Sequence, residues 1–299
     1  MRRSTVLGRL PIRPSDFVVE IGAGPAPFMY TKLILDKYPL DNIERYGDIL
    51  NVAPIIKADA VKLPLADKAC DVLFVSHVLE HLDEPGRFIA EAKRCARWIY
   101  LEFPTARREL MYAWSFHRWL IEIESGTLVF YRNDIPQLFG DFFHAHYDFL
   151  LDRWSEERFE ELNSYLYAAT DDLACTISPT SAMEHVLERG ARGDRKVNFP
   201  SEYGRAGTTG VAYSPGARLK LLAWALTPGT LIRARNRLRR KRNRSRRRRL
   251  GQALVARLLC QRCRTPALRL ERGRAGEEIA CTRCHQRYTA TEGIFDFDL

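Results

Sequence analysis

The segment Phe17-Val18-Val19-Glu20-Ile21-Gly22-Ala23-Gly24 constrains the fold more than any other part of the chain. Val18, Val19 and Ile21 are β-branched, and Glu20 alone interrupts the apolar run, as in a parallel strand covered on both faces. Gly22 and Gly24 then remove side chains where backbone must approach a ligand closely. Gly-x-Gly after a strand also occurs in ordinary turns, so the downstream residues have to separate a structural turn from a nucleoside site.

A dinucleotide fingerprint would place a third glycine where this chain has Pro27. A second apolar run, Lys32-Leu33-Ile34-Leu35-Asp36, ends in an acid, placing a carboxylate at the end of the second strand, where ribose hydroxyls would lie. Asp36 is the expected ribose ligand, with Asp48 its competitor if the strand boundary differs. So few residues separate turn and strand that a first helix has to be unusually short. Ile55-Ile56 leads into Ala58-Asp59-Ala60 and Leu63-Pro64-Leu65, and Asp71 to Ser76 reads as a fourth strand ending at His77. Val78-Leu79-Glu80-His81-Leu82 opens a helical stretch through Arg94, and Arg97 to Pro104 supplies another strand closed by proline. The alternation predicts an α/β fold, a doubly wound, mostly parallel sheet with five parallel strands. Leu120 to Glu124 and Thr127 to Tyr131 read as a hairpin, either the antiparallel edge of that sheet or a cap on the site. Residues 154 to 167 have helical spacing, and the Gly, Ser, Pro and Thr content beyond Thr170 suggests loops.

Val19-Glu20-Ile21-Gly22-Ala23-Gly24, Ala58-Asp59-Ala60 with Leu63-Pro64, and Ser76-His77-Val78-Leu79-Glu80-His81-Leu82 resemble class I S-adenosylmethionine-dependent methyltransferases, most closely the methyltransferase type 11 group. The resemblance covers roughly residues 14 to 135 and implies a Rossmann-like methyltransferase fold. It also implies that Glu20, Gly22 and Gly24 line the methionine end of the cofactor, that Asp36 holds the ribose, that Asp59 with Ala60 flanks the adenine, and that Ser76 joins the cofactor site. The chain departs from the family pattern at Pro25 to Pro27, and it lacks a Pro-Gly-Gly turn between Arg94 and Trp98.

Methyl transfer from a sulfonium is an in-line displacement, accelerated chiefly by alignment in a water-shielded site, so no universal catalytic residue is required. A general base helps when the acceptor is a hydroxyl or a protonated amine, and histidine suits that role near neutral pH. His77, just past the fourth strand, and His117, in Trp114-Ser115-Phe116-His117-Arg118-Trp119, are the candidate catalytic residues; His81 reads as bracing the helix. Each histidine can equally be a hydrogen-bonded structural residue. Glu80, His81 and Asp83 match no standard metal-ligand spacing.

Cys260-Gln261-Arg262-Cys263 and Cys281-Thr282-Arg283-Cys284 fit a four-thiolate tetrahedral zinc site on two knuckles. Zn2+ bound there would stabilise a segment too small to build a core unaided. Leu258 to Leu299 resembles the small zinc-ribbon activator proteins of tRNA methyltransferases, which implies an activating or scaffolding role within one chain. Four cysteines leave the metal no open position, which argues against a catalytic zinc. Cys70, Cys95 and Cys175 read as buried thiols.

The chain of 299 residues has a formal charge of +10, yet Arg233 to Arg249 holds 12 basic and no acidic side chains, so the basicity is local. Such a run attracts RNA, DNA or anionic lipid, or is a solvated linker. Residues 217–227 could form an amphipathic helix at a membrane surface, too short to cross one. The expected organisation is a methyltransferase domain over 1–170, an extension over 171–230, a basic linker over 231–250 and a zinc ribbon over 251–299. No secretory signal or membrane-spanning run is apparent, which predicts a cytoplasmic protein, with peripheral attachment at the membrane as the variant of that reading. The expected function is methyl transfer from S-adenosylmethionine to a small-molecule or glycan acceptor; the alternatives are a tRNA or other nucleic-acid methyltransferase, or an adaptor with a degenerate pocket.

Overall fold

The computed structural model describes residues 2–42, 44–45, 47–112, 114–136, 155, 157–191, 234, 237–238, 240–243, 245, 247–273 and 276–298. The chain divides into two compact units, Met1–Met183 with Arg246–Leu299, and Glu184–Ser245. In the first unit the apolar runs form β1 (Val18–Ile21), β2 (Thr31–Asp36), β3 (Ile55–Lys57), β4 (Cys70–Ser76) and β5 (Ala96–Pro104). They pair in parallel in the order β3-β2-β1-β4-β5. Val18, Val19, Leu33, Ile34, Leu73, Phe74, Val75, Ile99 and Leu101 are buried, which is why these strands are nearly continuous in apolar residues. The Rossmann-like, mostly parallel sheet expected from the sequence is therefore present. Its order reverses between β1 and β4, the position at which such sheets open a ligand crevice beyond their carboxyl ends.

The elements differ from the expectations in five places. Between β1 and β2 no helix forms: Pro25 and Pro27 cannot donate helical hydrogen bonds, and Phe28 N–H donates instead to the Glu20 carboxylate. The stretch from Val78 to Arg94 breaks into a 3-10 turn, Leu79–His81, and an α-helix, α2 (Pro85–Cys95), following a short N-terminal helix, α1 (Arg3–Leu7). Pro85 enforces the break, being tolerated in the first turn of a helix and not in its interior. Helix α2 buries Phe88, Ile89, Ala92 and Cys95, one stripe of the 3.6-residue period.

Past α3 (Ala106–Tyr112), the described residues of 154–167 do not form the single helix their spacing suggests: 155 and 157 are helical, but Asn163–Ala169 is extended. One turn, α4 (Phe159–Leu162), is followed by β8 (Asn163–Ala169), which pairs antiparallel with β5 along seven registered positions and covers its otherwise open edge. Trp98 and Tyr167 stack across the pair at 5.4 Å between ring centroids. The hairpin forms as β6 (Trp119–Glu124) and β7 (Thr127–Arg132), but it belongs to neither edge of the main sheet. It makes a separate three-stranded sheet with β9 (Ala174–Ser181), so the described residues beyond Thr170, as far as 191, include a strand and then a helix, α5 (Ala182–Ala191), where loops were expected. Residues 217–227 lie outside the described residues. Of the basic tract, 234, 237–238, 240–243 and 245 are helical.

The cysteine segment belongs to the same unit as the parallel sheet. After α6 (Gln252–Val255) come β10 (Leu268–Gly273), β11 (Gly276–Cys281), β12 (Arg287–Thr291) and β13 (Ile294–Asp296), an antiparallel succession. β13 then pairs in parallel with β3, Phe295 opposite Ile56 and Asp296 opposite Lys57, giving a continuous ten-stranded sheet. Phe297 N–H donates to the Lys57 carbonyl, Leu259 N–H to that of Pro64, and Ala66 N–H to that of Arg257. Leu258, Phe295 and Phe297 share one apolar cluster with Ile56, Leu63 and Leu65. No helix among the described residues is long and apolar enough to cross a membrane.

Phe297 is buried and stacked on Tyr288 with ring centroids 4.0 Å apart. Replacing it with alanine removes most of this packing, and Phe297→Ala is expected to lower the stability of the unit by about 3 to 5 kcal/mol. Denaturant unfolding of the full chain measures it, and a loss under 1 kcal/mol would contradict a shared core.

Candidate active site

The turn after β1 is forced by two constraints. Gly22 has φ +65°, a left-handed conformation, and a Cβ on it would lie 2.4 Å from Val78 Cγ2. Gly22 N–H donates to the Leu35 carbonyl, which ties the turn to the end of β2. At Gly24 the position of a Cβ faces open space, so no protein neighbour requires glycine there.

Glu20 is engaged with its own loop. Its Oε2 accepts from Phe28 N–H at 3.0 Å and from the Thr31 hydroxyl at 2.5 Å, beneath residues 23–30. Burial raises its pKa to about 7, against the lowering effect of those two hydrogen bonds.

Two adjoining cavities open at the carboxyl ends of the parallel strands. The first, of about 500 Å³, is lined by Gly22, Asp36, Asp59, Ala60, His77 and Val78 among others. Asp36, at the end of β2, accepts from Tyr38 N–H at 2.8 Å and from Arg45 Nη2 at 3.0 Å. Its burial raises the carboxyl pKa despite Arg45. Asp59 caps the 3-10 turn Ala60–Lys62 by accepting from Val61 N–H, and its other oxygen meets Lys37 Nζ at 2.7 Å. Burial pushes the Asp59 carboxyl up, but Lys37 and the Val61 amide outweigh it and hold the carboxyl below the usual range. Asp48, the competing acid, accepts from Asn42 instead and does not line this cavity.

The second cavity, of about 310 Å³, shares Gly22, Glu44, Arg45, His77 and His81 with the first. Glu20, Gly24, Ser76 and His117 also line it, with Trp114 and Phe116 as an aromatic wall. His77 stands between the cavities with a left-handed φ of +54°, unusual for a residue with a side chain. Its N–H donates to the Glu102 carbonyl at 2.8 Å, Nδ1 lies 3.1 Å from Glu80 Oε1, and Nε2 lies 3.3 Å from Glu102 Oε1. Burial and the Arg108 guanidinium, 3.2 Å from Nε2, favour the neutral ring, but the two carboxylates outweigh them and raise its pKa. Glu80 and Glu102, buried to 0% and 1% exposure, are likewise held at about 2 against the opposing effect of burial, Glu80 by His77 and Glu102 by Arg3 and His77. Arg3 Nε reaches both Glu102 oxygens at 3.0 Å and its Nη2 donates to the Ser76 hydroxyl at 3.2 Å, while the Tyr100 hydroxyl donates to Glu102 at 2.9 Å. His117 Nδ1 is 2.6 Å from Glu109 Oε1.

The four cysteines of the C-terminal segment converge. Cys260 and Cys284 sulfurs are 3.5 Å apart, Cys263 and Cys281 sulfurs 3.6 Å, and all four lie within 4.8 Å of one another. Tetrahedral bonds of about 2.3 Å place sulfurs roughly 3.8 Å apart, so this cluster can hold a metal ion. Tyr288 adds its hydroxyl, 3.2 Å from Cys260 Sγ.

The geometry is thus a glycine turn, two strand-end carboxylates and a second cavity beyond them on a 3-2-1-4-5 parallel sheet. Residues 29–97 match the model of a methyltransferase domain. Solved structures similar to the chain include an S-adenosylmethionine-dependent methyltransferase from Aquifex aeolicus, at 18% identity over 34% of this chain and 64% of that one, with a TM-score of 0.27. Another is phosphoethanolamine N-methyltransferase 1 of Haemonchus contortus, at 23% identity over 34% and 25%, with a TM-score of 0.28. A third is the complex between a Haloferax volcanii methyltransferase activator and a methyltransferase, at 14% identity over 40% and 67%, with a TM-score of 0.29. The chain thus spans just under two thirds of the Aquifex protein. No curated protein matched it.

Every residue expected at the cofactor or acceptor lines one of the two cavities. Arg3, Arg45, Glu102 and Arg108 line the same cavities and Glu109 orients His117 from behind, and apart from Glu102 nothing in their local sequence marks them. Glu102 offered the one available signal, an acid inside an otherwise apolar strand run.

Glu20 provides a pH test. Its folded pKa of about 7 lies above the unfolded value near 4.5, so the folded state holds a proton that the unfolded chain has lost between those pH values, and stability falls as pH rises through that window. Glu20→Gln is expected to flatten this slope, which amounts to at most about 3 kcal/mol between pH 4.5 and 7. Chemical unfolding of both proteins across that range measures it; parallel curves would contradict the assignment.

Proposed function

We propose that this chain is an S-adenosylmethionine-dependent methyltransferase acting on a small-molecule or glycan acceptor. The observation that carries the reading is the pair of adjoining cavities, with Gly22 and His77 common to both. S-adenosylmethionine, when bound, supplies an electrophilic methyl group on a sulfonium. The first cavity is of nucleoside size and has Asp36 where ribose hydroxyls need an acceptor and Asp59 with Ala60 on the adenine side. Open space beside Gly24, and its place in the second cavity with Glu20 and Ser76, suit the methionine end.

Transfer then requires the acceptor atom to lie in line with the methyl carbon and sulfur, and the second cavity offers an aromatic wall, Trp114 and Phe116, against which an acceptor can be seated. His77, committed to Glu80 and Glu102, serves this arrangement as a positioning residue between the cavities, and those two carboxylates raise its pKa. His117, oriented by Glu109, keeps Nε2 for a ligand or a proton. The modest volume of the second cavity, about 310 Å³, favours a small acceptor over a nucleic acid; the arginine tract 233–249 is read as a separate contact to RNA or to an anionic membrane surface.

Titration calorimetry tests the cofactor. The full chain is expected to bind S-adenosylmethionine, and Asp36→Ala to bind at least about tenfold more weakly, the loss of a hydrogen-bonded charged partner. Absence of binding to the unsubstituted chain would remove the enzymatic reading and favour an adaptor with a degenerate pocket.

We infer further that the four cysteines hold a structural Zn2+ in a zinc ribbon that supports the methyltransferase domain through the β13–β3 pairing. All four positions being thiolate, no coordination site remains for chemistry. Because the ribbon shares its core with Leu63 and Leu65, removing the metal is expected to lower the unfolding temperature of the whole unit and not of the ribbon alone. Calorimetry of Cys281→Ser beside the parent protein measures this; an unchanged main transition would refute the support role.

A further inference from the structure

We propose that Glu80, His81 and His117 form a second metal site, for a divalent first-row transition ion, on the wall of the second cavity. The three residues line that cavity together, and their ligand atoms lie within 4.8 Å of one another. Bonds of about 2.1 Å at tetrahedral or octahedral angles set ligand atoms roughly 3 to 3.5 Å apart, a spacing these three side chains reach with small rotamer adjustments.

Independent observations point to a ligand there. Glu80 is fully buried, and while its Oε1 meets His77 at 3.1 Å, its Oε2 has no hydrogen-bond partner. A buried carboxylate oxygen left in that condition is costly and finds a natural partner in a cation. His81 Nδ1 is paired with the Glu44 carboxylate at 3.4 Å, and Glu44 lines the same cavity. His117 gives Nδ1 to the buried Glu109 carboxylate at 2.6 Å, the arrangement in which an outer carboxylate fixes the tautomer of a metal-bound imidazole and leaves Nε2 as the donor.

The backbone presets the meeting of these segments. Arg118 N–H donates to the Glu80 carbonyl at 2.7 Å and Arg118 Nη1 to the His81 carbonyl at 2.6 Å, so the residue beside His117 staples its loop to the turn bearing the other two. Asp83, the carboxylate that sequence spacing would have added, is paired with Arg118 Nε at 2.7 Å instead. Two imidazoles and one carboxylate without thiolate suit zinc, iron, cobalt or manganese and not calcium or magnesium. Three protein ligands leave coordination positions open, and an acceptor oxygen entering the second cavity would complete them. That last clause rests on the methyl-transfer reading; the metal site does not.

The test uses the full chain with its thiolate cluster loaded with zinc and Co2+ as probe. Equilibrium dialysis is expected to show one Co2+ bound per chain, without the thiolate-to-cobalt absorption that displacement at the cysteines would produce. Glu80→Gln and His117→Ala are each expected to weaken this binding at least tenfold. Asp36→Ala is expected to bind Co2+ as the parent does, whether or not it binds S-adenosylmethionine. A measurement needing no variant is the proton spectrum of the parent protein, in which Co2+ should shift the His81 and His117 ring signals far outside the diamagnetic range. Absence of Co2+ binding outside the cysteines, unaltered binding in both variants, or unshifted histidine signals would overturn the proposal and leave His81 and His117 as an aromatic contact at 4.8 Å between centroids.

Discussion

Glu102 is an ionised carboxylate buried within a parallel strand, and such a group is tolerated only when its charge is answered on every side. The answers come from distant parts of the chain: Arg3 from α1, Tyr100 from the same strand and His77 from the end of β4. Meeting this requirement holds the N-terminal helix against the carboxyl ends of the strands, and it fixes the ring of His77 between the two cavities. The left-handed backbone at His77 is sustained by the same residue, through its N–H to the Glu102 carbonyl. Arg108 continues the network from His77 Nε2 to Asn163, and its guanidinium lies 5.3 Å from the Trp114 ring, so the polar core of the site and its aromatic wall are one assembly.

The opposite edge of the sheet answers a different need. A short edge strand such as β3 exposes unpaired backbone groups, and β13 meets them in parallel while burying Phe295 and Phe297 against Ile56 and Leu63. The strand bearing Asp59 at its end is thereby braced from its outer side, and Lys57 is held by Asp296 at 2.9 Å. This gives a physical route by which the cysteine segment supports the first cavity without contributing a residue to it.

Legibility in the sequence followed the range of the interactions. β1, β2, β4 and β5 were readable because burial on both faces requires continuous apolar runs, and Asp36 and Asp59 because strand-end acids stand out against them. The four cysteines were readable because two knuckles need fixed local spacing. The helix expected over residues 154–167 failed because the edge of β5 imposes extended pairing on Asn163–Ala169, and tertiary pairing outweighs local period. The continuous helix from Val78 failed at Pro85, a signal present in the sequence but outweighed there by the apolar spacing.

The sequence by itself determined the parallel strands of a Rossmann-like sheet, the glycine turn, the strand-end acids and the two cysteine knuckles, because each depends on residues within one element or one turn of each other. Only the tertiary structure decided that Glu102 gathers Arg3 and His77, that β13 extends the sheet at β3, and that His117 meets Glu80 and His81 through the Arg118 staple. Those contacts join segments tens to hundreds of residues apart, and no periodicity or spacing encodes them. They are set by which buried charges and open strand edges must find partners once the sheet has formed.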